Sequence, residues 1–181
     1  MKLLVKSAIV VAIWSSMIVS AFAINNNGSI TFTGKVTKGT CSTAVAGEEG
    51  NVMMADVGVG DFTRAGDVNG DTPFKIKLSD CESSGDSSVK IKFTGTQDRD
   101  NNKVLENIAS GSSAKGVGIG IYKKSGEQIV IGGSPVTVET LTTKDTSKEL
   151  QFIAKYVATK DKNNITSGQV QARAAFTVEY D

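Results

Sequence analysis

The sequence predicts an all-β fold built from antiparallel sheets, and three observations point to it. Apolar residues recur at every second position through the longer segments, none of which shows helical spacing. Between these runs lie clusters of Gly, Ser, Asn and Asp, at residues 46–51, 67–72, 82–88, 98–103, 110–115 and 161–167. Runs that alternate apolar with polar residues have one buried and one wet face, which favours two antiparallel sheets packed as a sandwich over a parallel core.

Taken in chain order, residues 1–23 read as an export signal outside the fold. Lys2 and Lys6 precede an apolar stretch at residues 8–19, and Ala21-Phe22-Ala23 has the small-x-small form of a cleavage site. That stretch is too short for a comfortable membrane span. Candidate strands follow at residues 30–36, 52–57, 74–78, 89–94, 116–122, 128–131, 150–157 and 169–180. Phe74, Ile76 and Leu78 share one face, as do Val89, Ile91 and Phe93, and as do Phe152, Ala154, Tyr156 and Ala158. Pro73 and Pro135, the only prolines, are expected at strand starts, where a missing N–H costs least. Gly118 and Gly120 fall on one face of their strand, so either another segment approaches closely there or an edge or bulge requires glycine.

The two ends of the chain are complementary. Val170, Ala172, Ala174, Phe176, Val178 and Tyr180 share one face of a last strand that runs to Asp181 with no hairpin partner after it. Near the start, Gly28, Ile30, Phe32, Gly34 and Val36 form a second alternating run with no local structure to join. One strand is missing at one end and one is spare at the other.

Composition narrows the function. A formal net charge of +1, with both signs scattered, gives no basic stripe for nucleic acid and no polybasic segment for anionic lipid, so partners are recognised by shape. Cys41 and Cys81 both lie in the exported part, where a disulfide persists. Closing that loop stabilises by roughly 3–4 kcal/mol in the chain-entropy account, and the bond is expected to tie early strands across the core. The absence of histidine excludes Ser-His-Asp and Cys-His chemistry and His-based metal sites. Residues 67–71 and 98–102 resemble the start of a calcium loop but lack its later glycine and glutamate, and they read as solvated turns. Gly118-x-Gly120 lacks the third glycine of a dinucleotide fingerprint, and residues 111–116 lack phosphate-loop spacing. No catalytic residue, metal or cofactor is assigned.

In order along the chain stand Gly28-x-Ile30-x-Phe32-x-Gly34-x-Val36 ahead of Cys41, Phe74-x-Ile-x-Leu-x-x-Cys81, Val117-Gly-Ile-Gly-Ile121, Phe152-x-Ala-x-Tyr-x-Ala158 and Ala175-Phe-x-Val-x-Tyr180. This ordered set resembles the type 1-like pilins of the chaperone–usher pathway. The resemblance implies an incomplete immunoglobulin-like sandwich lacking its last strand, divided into a signal at residues 1–23, a donor-strand extension at 24–36 and a pilin domain at 37–181. It further implies a structural subunit of a bacterial surface fimbria that supports adhesion, reached through the periplasm. Neighbouring pilin subunits, a periplasmic chaperone and an outer-membrane usher are its implied partners, and donor-strand exchange is the inherited mode of polymerisation. On this view Gly28, Ile30, Phe32, Gly34 and Val36 donate, while the face from Val170 to Tyr180 accepts. Tyr180 and the Asp181 carboxylate form the end that a chaperone grips. A minor adaptor and a carbohydrate-binding adhesin are the alternatives. Against the adhesin, Trp14 is the only tryptophan and leaves with the signal, and no receptor-binding domain precedes the pilin domain.

Overall fold

The structure, a computed structural model, describes residues 41–46, 50–82 and 85–181. Eight strands are present there: β1 (Ser42–Ala46), β2 (Val68–Ser79), β3 (Ser87–Gly95), β4 (Val117–Lys123), β5 (Gln128–Ile129), β6 (Val136–Leu141), β7 (Ser147–Ala158) and β8 (Ala174–Tyr180). They form one sheet in the order β1-β2-β7-β4-β5 and a second in the order β6-β3-β8, with antiparallel ladders throughout.

The inner faces are those the alternation predicts. Ile76 and Leu78 of β2, Val89, Ile91 and Phe93 of β3, and Leu150, Phe152 and Ala154 of β7 meet in one core between the sheets. Their odd neighbours Lys75 and Lys77 are exposed, as the pleat requires. Phe93 sits at the centre of an aromatic group, with ring centroids 5.4 Å from Phe152, 6.3 Å from Phe176 and 6.5 Å from Phe74. A second, smaller cluster gathers Phe62, Val117, Ala158 and Ile165 at one end of the sandwich.

Several expectations are corrected. β2 begins at Val68, so most of the stretch read as a solvated turn at residues 67–71 belongs to a strand. Its register shifts between Asn69 and Thr72, where Gly70 adopts φ +69° and a Cβ would lie 2.7 Å from the Tyr156 ring. Pro73 therefore lies inside β2 rather than at its start. Among the described residues β1 pairs with β2 only from Lys75 onward, so Pro73 sits where the strand has a single ladder neighbour, the kind of position at which a missing N–H is tolerated. β1 and β6 escaped the sequence reading because both are short and carry Ser, Thr or Ala at many positions.

The Cys41–Cys81 disulfide is present. Cys41 immediately precedes β1 and Cys81 lies just beyond β2, next to the pair Ser42↔Ser79. The bond thus staples two neighbouring strands of one sheet and does not cross the core. The two glycines of β4 do mark close approach: a Cβ on Gly118 would lie 2.6 Å from the Leu105 carbonyl, and one on Gly120 would lie 2.8 Å from the Tyr122 ring. Leu105 and Ile119 exchange both backbone hydrogen bonds, at 2.8 and 3.0 Å, fastening the long loop after β3 to the edge of β4.

Candidate functional site

The ladder of the second sheet stops where β3 and β8 part. β8 pairs with β3 from Gly95↔Ala174 to Val89↔Tyr180, and its other edge has no strand beside it among the described residues. Ser88 and Asp181 exchange both backbone hydrogen bonds, at 3.0 and 3.1 Å. In an antiparallel ladder the bonded residues alternate, so the backbone groups of Ala175, Thr177 and Glu179 also turn toward β3. Those of Ala174, Phe176, Val178 and Tyr180 turn to the open edge. These same even-numbered residues send their side chains inward, and Phe176, Val178 and Tyr180 pack half-buried against the core.

The predicted strand at 169–180 is a ladder strand only from Ala174 onward. Residues 169–173 lie beyond the end of β3, and other contacts hold them. Gln169 N–H donates to the Ser112 carbonyl (2.8 Å), Ala114 N–H to the Gln169 carbonyl (3.0 Å) and Ile108 N–H to the Gln171 carbonyl (2.7 Å). The odd residues thus bond away from the groove, while Val170 and Ala172 remain on its wall. Gly95 permits the change of direction, since a Cβ there would lie 2.6 Å from the Arg173 carbonyl.

Across from β8 runs the segment at 51–57. The alternation of residues 52–57 predicts a strand, yet no ladder forms there among the described residues. Val52 and Met54 are half-buried while Met53 is 87% exposed, so the inward and outward pattern holds over residues 52–55, but it breaks at exposed Asp56 and half-buried Val57. Between the walls lies a groove of about 990 Å³, floored by Phe74, Ile76, Phe93, Ile119 and Ile121 and walled in part by Val170, Ala172, Ala174 and Phe176. It is a trough with an apolar floor, bordered by backbone that no strand pairs with among the described residues, and such an edge suits an added β-strand.

At one end of β8 the Tyr180 hydroxyl is buried beside the Cys41 backbone amide without an aligned hydrogen bond. Burial pushes the Tyr180 phenol up, and the Cys41 amide offsets part of this. Burial also raises Tyr122 and Tyr156, with the charges of Asp71 and Asp56 adding to the respective shifts. A raised folded value leaves stability intact below the ordinary tyrosine pKa and removes it as pH rises through the folded one. Alkaline titration should therefore show tyrosinate absorbance appearing only above the ordinary range and together with loss of β-sheet circular dichroism; full ionisation at the ordinary pKa with the sheets intact would contradict this. The Asp181 side chain forms an ion pair with Lys90, whose ammonium is held above its usual range chiefly by that hydrogen bond.

The residues Val170 to Tyr180 predicted for the acceptor face are thus brought onto one side of one wall. Gly28, Ile30, Phe32, Gly34 and Val36, together with the signal and extension boundaries, lie outside the described residues. Sequence reasoning missed Asn107, whose carboxamide fastens the wall at residues 169–171 and which stands in an unpatterned polar stretch that gives no signal.

A family model for fimbrial proteins matches residues 30–181. The chain belongs to the fimbrial protein family. It is 32% identical over 163 residues to the long polar fimbria protein A of Salmonella typhimurium, covering 90% of this chain and 89% of that protein. Among solved structures, the type I fimbria protein of Burkholderia pseudomallei superposes with a TM-score of 0.58 at 30% identity, covering 79% of this chain and 100% of that one. The P pilus rod subunit PapA shares the fold, with a TM-score of 0.57 at 20% identity and coverage of 77% and 99%. This fimbrial protein is a structural subunit with the immunoglobulin-like sandwich of pilins, not an enzyme. It assembles with other pilins into a surface fimbria.

Proposed function

We propose that the groove accepts a β-strand from another protein, lent first by a periplasmic chaperone and then replaced at an outer-membrane usher by the extension of a neighbouring subunit. One observation carries this reading: the even residues from Val170 to Tyr180 combine an inward apolar face with an open backbone edge, opposite a second ladderless segment at 51–57. A strand laid between them would pair with both walls and close the sandwich over its floor. Residues 24–36 supply the donor, with Gly28, Ile30, Phe32, Gly34 and Val36 at alternate positions facing the floor. Each large apolar side chain buried there would contribute about 1.5–3 kcal/mol. Tyr180 and Asp181, where β8 ends, are the contact a chaperone grips before exchange.

Such a contact is heterologous, so repeating it yields an open filament rather than a closed ring. The route runs through the periplasm after loss of residues 1–23, and the finished fimbria supports adhesion. Deletion of residues 25–35 tests the reading. The variant should remain bound to its chaperone, and electron microscopy should show it failing to extend filaments as a donor; normal fimbriae built from it alone would overturn the assignment.

A further inference from the structure

We infer that Asn107 is the positioning residue that prepares the far half of the groove wall for an incoming strand, a role that rests on the strand-insertion reading above. The wall is made in two ways. From Ala174 onward β3 holds it, but β3 ends at Gly95 and no strand continues alongside residues 169–173 among those described.

The Asn107 side chain stands where that continuation would run. Its Nδ2 donates to the Gln169 and Ala114 carbonyls, both at 2.9 Å, and its Oδ1 accepts from the Gln171 and Ala109 amides, both at 3.0 Å. Only this orientation of the carboxamide places donors on two carbonyls and an acceptor on two amides, so its placement is set by its partners. A carboxamide has the donor and acceptor of a peptide unit, and Asn107 offers them to Gln169 and Gln171 as a neighbouring strand would. The Ser112 carbonyl and the Ala114 and Ile108 amides hold the other outward groups of Gln169 and Gln171, and Asn107 supplies the acceptor for the Gln171 N–H and a second donor to the Gln169 carbonyl; with these groups held, Val170 and Ala172 keep their side chains on the groove. Asn107 thereby extends the pairing edge beyond the last residue of β8 that β3 supports.

The consequence is specific to strand length. A donor long enough to reach Val170 and Ala172 depends on Asn107; a donor confined to residues 174–180 does not. The test uses the full chain purified in its chaperone complex and measures uptake of a synthetic peptide of residues 24–36, and of versions shortened from either end. In the unsubstituted protein the full peptide should enter faster than at least one shortened form. Asn107→Ala should slow the full peptide by about tenfold, the scale of one net hydrogen bond, while leaving unchanged the rate of the shortened peptide that does not reach residues 170–172. A general loss of stability would slow or speed both peptides alike. Should the alanine variant fold poorly, Asn107→Asp retains the two accepting bonds but turns a carboxylate toward the Gln169 and Ala114 carbonyls. It should again slow the full peptide selectively. An unaltered advantage of the full peptide in either folded variant overturns the role of Asn107, whereas absence of any uptake by the unsubstituted protein overturns strand insertion itself.

Discussion

Replacing Cys41 and Cys81 together by alanine should lower the unfolding free energy by about 2–5 kcal/mol, read as a fall in the urea midpoint. The reason lies in β1. Among the described residues it has one ladder neighbour, β2, and Ser42, Thr43 and Ala44 are all exposed, so burial of these three contributes little to holding it. The disulfide fixes Cys41, the residue before it, to Cys81 just beyond the end of β2. Beyond β1 the chain continues toward the segment at 51–57 that forms one wall of the groove. Hydrogen exchange in the double variant should therefore accelerate at the β1–β2 pairs Ser42↔Ser79 and Thr43↔Leu78 before it rises along β3 and β7. An unchanged midpoint would show that the β1 ladder stands without the covalent link.

Phe93→Ala should cost about 3–5 kcal/mol, since it removes a buried aromatic ring and leaves a cavity. Phe93 is 2% exposed and lies between both sheets, within 6.5 Å of three other phenylalanine rings. It also floors the groove, so the same substitution loosens the support under Phe176. Phe176→Ala provides the comparison. That ring is only half-buried, so its removal should cost clearly less by urea denaturation of the isolated subunit. Equal costs for the two would mean that the groove side of the core is as tightly packed as its interior.

The residues that could be read from sequence were those whose burial sets a period of two. Phe74, Ile76 and Leu78, and likewise Val89, Ile91 and Phe93, announce their faces because each strand has one dry side. The inward face of β8 was legible for the same reason, and Val170 and Ala172 continue it along the groove wall. What failed was pairing, which depends on partners elsewhere in the chain. The alternation predicted over residues 52–57 is met in burial only as far as Ala55, and a strand also needs a neighbour, which is absent there among the described residues. The register shift at Gly70, in the part of β2 that places Pro73 in a strand interior, lies against Tyr156, far along the chain. Asn107 works through four bonds to backbone groups, and backbone groups leave no mark on composition.

Along β8 the direction of each side chain and the direction of its backbone groups are locked in phase, both set by the same even-numbered residues. A strand laid against this edge and displaced by one residue would keep its hydrogen bonds only by turning its apolar set to solvent, and the lost burial rejects that error at once. Displaced by two, it would recover its full complement of hydrogen bonds. The main chain cannot tell that arrangement from the intended one, so fidelity of alignment falls to the sizes of individual side chains against the floor. Were the proposed donor at residues 24–36 that strand, the contrast between Phe32 and Gly34 would be the largest difference in bulk among its alternating positions available to make that choice.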